Sequence, residues 1–288
     1  MRETMRSLLR LGWLNIERTM LSDRPGPIEE LLDHGFIADD PSQYCLRCGH
    51  NVGAGEFVDG ACSSCRGKRL PWGGVVRLGS YDTCLRDAIH EFKFNRWHVV
   101  GEHLGHALGA AVVERLHAVA NDVGEPPSAI LSRTLVVPVP MSVWRRASRG
   151  IDHASCLGRA VAQGANLPMR KLLVRQHRPA QTGLSAAARR RNLRGAMRPS
   201  TSPEVLEGVR VVVLVDDVMT TGATLAEACR AVKAMASTHR EGSDDSPGVL
   251  VATVGVSDPG RRKSVEASMA SRPEVVVARS PGVLVQKK

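Results

Sequence analysis

Hydrophobic positions change period several times along the chain, and each change marks an element. Over the first twenty residues Met5, Leu9, Trp13, Ile16 and Met20 recur at three- and four-residue steps, which predicts an amphipathic helix packed on the body of the protein. Residues 24–27 break that pattern, and 28–36 predict a second short helix. Helical spacing returns over 85–94 and 99–119, with Arg96 and Trp97 between the two. Gly124, Pro126 and Pro127 make 121–128 a predicted loop. Residues 134–139 form a short β-branched run, and 151–163 read as an amphipathic helix. The segment 209–215 is unbroken apolar sequence from Val211 onward, as expected at the centre of a parallel sheet. A helix over 223–235 follows it, then a polar exposed loop over 237–247 and two further strands at 249–256 and 275–278. Strands alternating with helices predict an α/β domain with a mainly parallel sheet, and no internal repeat is visible.

Composition narrows this picture. Of 288 residues, 43% are hydrophobic and 24% charged, enough for a sizeable core and against wholesale disorder. No run approaches the roughly 18 apolar residues of a membrane span. Arg2, Arg6, Arg10 and Arg18 interrupt any signal-peptide core, so the expected location is the cytoplasm. With aromatic residues at 3%, a base-stacking platform is disfavoured. Charge is concentrated. No acidic residue occurs between Asp152 and Glu204, while Arg159, Arg170, Lys171, Arg175, Arg178, Arg189, Arg190, Arg191, Arg194 and Arg198 all do. Those ten account for the whole net charge of +10, so a local anionic partner is expected there: a polyphosphate ligand or a nucleic-acid backbone.

Four of the seven cysteines fall as Cys45-Leu-Arg-Cys48 and Cys62-Ser-Ser-Cys65, thirteen residues apart. Two such knuckles can aim four sulfurs at one ion, the arrangement of a zinc ribbon in which iron can substitute. Gly49 and Gly67 follow the knuckles, where the chain must turn past the metal. An odd cysteine count and the lack of an export signal argue against a disulfide framework. Four thiolates leave no open coordination position, which makes the site structural. Cys84, Cys156 and Cys229 sit singly and are expected to be buried and inert.

The run Val211-Val-Val-Leu-Val-Asp216-Asp217-Val218-Met219-Thr220-Thr221-Gly222-Ala223-Thr224-Leu225 passes from buried strand to acidic pair, to Gly/Thr loop, to helix. In open α/β sheets ligands bind at the carboxyl ends of strands. A helix N-terminus there offers backbone N–H groups and the positive end of its dipole to an anion. Three threonine hydroxyls add donors, and Gly222 permits close approach to a phosphate. Two carboxylates just ahead suit a ligand carrying sugar hydroxyls beside its phosphate. Neither GxGxxG nor GxxxxGK[ST] occurs at this position.

This segment resembles the phosphoribosyl pyrophosphate signature of type I phosphoribosyltransferases, and the whole chain resembles the ComF family, in which a zinc ribbon precedes such a domain. Matching segments are Leu85-Arg-Asp-Ala-Ile-His90-Glu-Phe-Lys93-Phe, Val137-Pro138-Val139-Pro140, Arg145-Arg146 and Arg149-Gly150. Arg178-Pro-Ala-Gln181-Thr182-Gly-Leu-Ser185 then leads into Arg189-Arg190-Arg191-Asn192-Leu-Arg194-Gly195. The resemblance covers residues 41–280. It implies a zinc ribbon over 41–71 and a type I phosphoribosyltransferase fold over 72–288, with a flexible basic flap at 176–198; residues 1–40, a helical extension by their hydrophobic spacing, carry no recognisable part of it.

By that resemblance Asp216 and Asp217 hydrogen-bond the ribose hydroxyls and serve catalysis, while residues 218–224 (Val218, Met219, Thr220, Thr221, Gly222, Ala223, Thr224) hold the phosphoribosyl group. Arg145, Arg146, Arg178, Arg189, Arg190, Arg191 and Lys93 are the pyrophosphate and flap candidates. Zn²⁺ belongs to the ribbon, and Mg²⁺ to the donor. The implied reaction is transfer of the phosphoribosyl group to a nitrogen base or nucleotide with release of pyrophosphate. The alternative is a non-catalytic nucleotide sensor or DNA-uptake accessory protein on the same fold, with single-stranded DNA, the competence machinery or a second copy of the chain as partner. Two departures from the pattern stand out. Met219 occupies a position where some purine phosphoribosyltransferases carry an acid that meets the base. Gly150-Ile151-Asp152-His153 stands where ComF-family chains often read Gly-Phe-Asn-Gln, and His153 reads better as a helix-start residue than as a base.

Overall fold

In chain order the elements are β1 (Gly74–Ser80), α1 (Thr83–Phe94), α2 (Trp97–Asp122), α3 (Pro127–Leu131), β2 (Thr134–Pro138), α4 (His153–Ala165), β3 (Leu173–Arg175), β4 (Met197–Pro199), β5 (Val211–Met219), α5 (Ala223–Ser237) and β6 (Gly248–Val256). They come from a computed structural model that describes residues 38–53, 55–58, 60–81, 83–94, 97–141, 152–176, 195–238 and 246–257; the side chains of 83, 84 and 91–99 are not among them. The predicted helices within 1–36, the predicted strand at 275–278, Arg145, Arg146, Arg178, Arg189, Arg190 and Arg191 lie outside the described residues.

The sheet is parallel throughout, in the order β1-β6-β5-β2. β5 sits inside it because Val211–Val215 are apolar on both faces, and all five are buried. Val211, Val213 and Val215 meet α1, α2 and α4 through Leu85, Ile89, Leu104, Leu108, Leu157 and Val161. Val212 and Leu214 meet α5 through Leu225, Ala228, Cys229 and Val232, together with Leu173 and Met197 of the small β3–β4 hairpin. Helices thus flank an α/β sheet, as the strand–helix alternation predicts.

Several elements depart from the sequence reading. β1 was not predicted, because Arg77 interrupts its apolar run; in the folded chain that arginine is buried, with partners in the ribbon, Gly49 and Asn51, and just before it, Asp39. α2 begins at Trp97 and continues to Asp122, into the predicted loop. The rest of that loop holds α3, whose Pro127 takes the first helical position, where a missing N–H costs nothing. β3 and β4 are three residues each, too short for periodicity to reveal. β5 runs past 215 to Met219, so the acidic pair lies in the strand and not after it. His153 opens α4 and is buried, a helix-start residue as expected; Asp152 caps that helix, accepting from the Ser155 amide at 3.3 Å and the Ser155 hydroxyl at 2.7 Å.

Candidate functional site: a four-cysteine cluster against a strand-end loop

Each knuckle closes on its first carbonyl. Cys45 O accepts from Cys48 N (3.2 Å) and Gly49 N (2.7 Å); Cys62 O accepts from Cys65 N (3.1 Å) and Arg66 N (2.9 Å). The turn at Gly49 has φ +78°, a region open to glycine at little cost. The result brings the four sulfurs together, all buried and all within 4.8 Å of one another. Measured separations are 3.4 Å for Cys48–Cys62, 3.7 Å for Cys45–Cys65 and 3.8 Å for Cys62–Cys65. A tetrahedral zinc with Zn–S bonds of about 2.3 Å needs sulfurs about 3.8 Å apart, so the donor set and its spacing fit the ion. Burial pushes the Cys48 and Cys65 thiols up. Burial also acts to raise Cys45, but backbone N–H groups of Arg47, Cys48 and Cys62 outweigh it and bring that thiol below its ordinary value.

Pairing of β5 with β6 runs from Val211 opposite Gly248 to Asp216 opposite Thr253, omits Asp217, and resumes at Val218 opposite Gly255. At the omitted position the buried Thr253 hydroxyl donates to the Asp217 carbonyl at 3.1 Å. Asp216 Oδ1 accepts from the Asp217 amide at 2.9 Å. Both carboxylates are half-buried at the carboxyl end of the central strand. Beyond Met219, Thr220 and Thr221 are exposed, Gly222 and Ala223 are buried, and Thr224 is half-buried in the first turn of α5. Thr221 Oγ1 accepts from Ala223 N at 3.4 Å. Gly222 sits at φ +67° and turns the chain into α5, with its carbonyl accepting from Ala226 N at 2.8 Å. Carboxylates, hydroxyls and the positive end of a helix therefore share one strand-end edge. Val139 N, donating to Val215 O at 2.9 Å, brings the Pro138-Val139-Pro140 strand end beside it.

The Met219 side chain is packed between this loop and the ribbon: a Cβ on Gly222 would lie 3.7 Å from its Sδ. It is 4% exposed, and a Cβ on Gly49 would lie 3.0 Å from its Cε. Met219 therefore joins the loop to the ribbon. Trp72, which the sequence reading passed over, makes a second junction. Its indole N–H donates to Arg47 O, inside the first knuckle, at 2.9 Å. Its ring edge lies under the loop, where a Cβ on Gly222 would come within 2.9 Å of Cη2. A tryptophan seven residues after the last ribbon cysteine, in a chain poor in aromatics, was the available signal. Lys93 is carried by α1, and its side chain is not among those described. A cavity of about 330 Å³ lined by Val119, Val123, Ile130, Arg210 and Val211 lies at the other end of β5, away from this chemistry.

A buried four-cysteine ribbon set on the edge of a parallel α/β domain, with an acidic pair and a Gly/Thr loop at the strand ends, defines the class. Competence protein F of Haemophilus influenzae is 31% identical over 188 residues, 64% of this chain and 76% of that protein. DNA utilization protein YhgH of Escherichia coli K12 is 32% identical over 168 residues, 58% of this chain and 68% of that protein. The chain belongs to the ComF family. No family model matches it. A solved structure described as the allosteric regulatory enzyme of purine biosynthesis aligns with a TM-score of 0.30 at 18% identity, over 58% of this chain and 30% of that one, a likeness too slight to carry weight.

Proposed function

We propose that the chain adopts a type I phosphoribosyltransferase fold, binds phosphoribosyl pyrophosphate at the β5–α5 edge and transfers the phosphoribosyl group to a nitrogen acceptor. The observation that carries this reading is the half-buried Asp216–Asp217 pair opening directly onto a glycine-turned helix N-terminus at the strand ends. The carboxylates would accept from the ribose 2′ and 3′ hydroxyls, charge-assisted bonds stronger than neutral ones. Thr220, Thr221 and Thr224 and the N–H groups opening α5 would receive the 5′-phosphate. The loop after Pro140 would take the pyrophosphate end. In the reaction the C1–O bond to pyrophosphate breaks, the leaving oxygen takes the electron pair, and a nitrogen–C1 bond forms with loss of a proton from that nitrogen. Mg²⁺ would neutralise the leaving pyrophosphate; the all-oxygen donors of the acidic pair suit a hard cation that keeps most of its ligands from substrate and water. The buried Met219 side chain can neither take nor give a proton at the base, so acid–base help comes from elsewhere or is not used. Structural zinc in the ribbon and a cytoplasmic location complete the reading.

A second reading has its own support. The relatives' names speak of competence and DNA utilization, which favours a non-catalytic role that keeps the site as a sensor or docking point in DNA uptake. Among the described residues no helix is long and apolar enough to cross a membrane. Calorimetric titration with phosphoribosyl pyrophosphate and Mg²⁺, followed by a pyrophosphate-release assay over candidate bases, separates the two. Binding with release is expected for the enzyme. Binding without release supports the second reading, and no binding overturns both.

A further inference from the structure

We infer that Trp72 is a positioning residue through which the four-cysteine ribbon holds the phosphate-side loop in shape, although no part of the ribbon belongs to the ligand contacts proposed above. Three contacts point to it. The indole N–H is bonded to the carbonyl of Arg47, which lies between two of the metal-ligating positions, Cys45 and Cys48. The far edge of the same ring, itself 9% exposed, closes against Gly222, where the loop turns into α5. At the loop's other end, Gly49 fits against the buried Met219, with Val75 and Val256 beside it. The Arg47 guanidinium in turn donates to Lys68 O at 2.5 Å, joining the first knuckle to the segment that follows the second.

Both ends of 219–222 are therefore clasped: one by Gly49, which follows the first knuckle, the other by Trp72, whose ring packs in the sheet-domain core while its N–H is fixed by that knuckle. Thr220 and Thr221 between them are exposed and gain little from packing. A small ribbon without its ion has few apolar contacts to keep Arg47 O where the indole needs it. Opening the ribbon thus removes the bond that fixes the indole's orientation and loosens Gly49 against Met219, widening the conformations available to the loop. A ligand must then re-order that loop on binding, at a cost in affinity.

The test needs a readout that owes nothing to the ligand. Amide hydrogen exchange over 220–226 is compared in the zinc-loaded full chain, in the same chain after chelation, and in Trp72→Phe. The Phe variant removes the N–H and the outer ring edge while leaving the metal ligands alone. Expected is one zinc per chain in both loaded proteins, with exchange over 220–226 about tenfold faster in Trp72→Phe and after chelation, while β5 and β6 stay protected. Affinity for ribose 5-phosphate should fall about five- to tenfold in parallel, the scale of one neutral hydrogen bond and its ring contact. Unchanged loop exchange in either altered protein, with β5 and β6 protected, overturns the inference. Should Trp72→Phe lose its zinc or its fold, the chelated wild-type chain alone decides. The affinity arm rests on the phosphoribosyl reading, so failure of wild type to bind ribose 5-phosphate sinks that reading while the exchange arm still judges Trp72.

Discussion

The ribbon's interior consists of Cys45, Cys48, Cys62, Cys65 and Ala61, with Val52 and Leu70 against them, and Phe57 and Val58 lie exposed at its far turn. The sheet domain, by contrast, fills both faces of β5 with aliphatic side chains, from Val76 to Val254 on one side and from Val75 to Val256 on the other. One region has an interior built mainly of four thiols that could hold an ion, while the other has an aliphatic core. Yet the two are joined by buried polar bonds. Val75 N donates to Leu46 O and Asp39 N to Leu78 O, both at 2.7 Å, so ribbon backbone covers the edge of β1. Arg77, with its side chain fully buried, donates to Gly49 O at 2.6 Å and Asp39 Oδ2 at 2.5 Å, reaches Asn51, and lies 4.8 Å from the Tyr44 ring centre. The difference teaches that the strand-end edge is bordered by two regions of unlike construction, one with an aliphatic core and one built around four thiols that could hold an ion.

Separating those regions is the largest expected effect. Cys62→Ser should abolish metal binding, since structural zinc contributes on the order of 10–16 kcal/mol to small domains of this kind. Exchange protection over 41–71 should vanish while β5 and β6 keep theirs. Metal analysis showing one zinc per chain in the variant would refute the four-cysteine site. Next in size is the joint itself. Arg77→Ala strands Asp39 and the Gly49 carbonyl without their guanidinium, which should cost about 3–5 kcal/mol in denaturant unfolding. Arg77→Lys should recover only part, because an ammonium cannot reproduce the forked contacts. A loss below about 1 kcal/mol in Arg77→Ala would mean that ribbon and sheet are held together some other way.

The same two regions differ in how far they were legible. The cysteine knuckles and the Asp-Asp-loop-helix run could be read directly, because each is local: spacing alone brings the sulfurs and the strand end into place. β1 was not, since Arg77 looks out of place in a buried strand until Asp39, Asn51 and Gly49 are seen around it. The β3–β4 hairpin escaped for the same reason, as three-residue strands are defined by their partner and not by their own pattern. Family analogy places Met219 in the phosphoribosyl-binding segment. Its burial against Gly49 comes from a ribbon 170 residues earlier in the chain, and no periodicity could show it. Trp72 was likewise invisible as a functional residue, because its meaning lies in joining Arg47 to Gly222.

Within the sheet domain, Asp217→Ala should weaken binding of phosphoribosyl pyrophosphate by about 2–4 kcal/mol, from hydrogen bonds lost to a charged acceptor. The carboxylate is half-buried at a strand end and is not one of the four metal-ligating thiols, so metal content and thermal midpoint should hardly change. Calorimetry showing undiminished affinity would remove Asp217 from the site.

The smallest expected effect concerns Asp152, where the family often has an amide. Here the carboxylate caps α4 and sits 3.6 Å from Lys171 Nζ, an ion pair whose lysine side chain is 56% exposed. Such a pair contributes little, whereas losing an Asp cap costs about 1 kcal/mol. Asp152→Asn, which caps nearly as well, should therefore leave unfolding within about 0.5 kcal/mol of wild type, and Asp152→Ala should lower it by about 1 kcal/mol. Neither should alter metal content or donor affinity, because a cap acts on its own helix. A loss of donor affinity in Asp152→Asn without a loss of stability would move Asp152 from helix start to ligand contact, and the charge at this position would then be a departure in binding and not in folding.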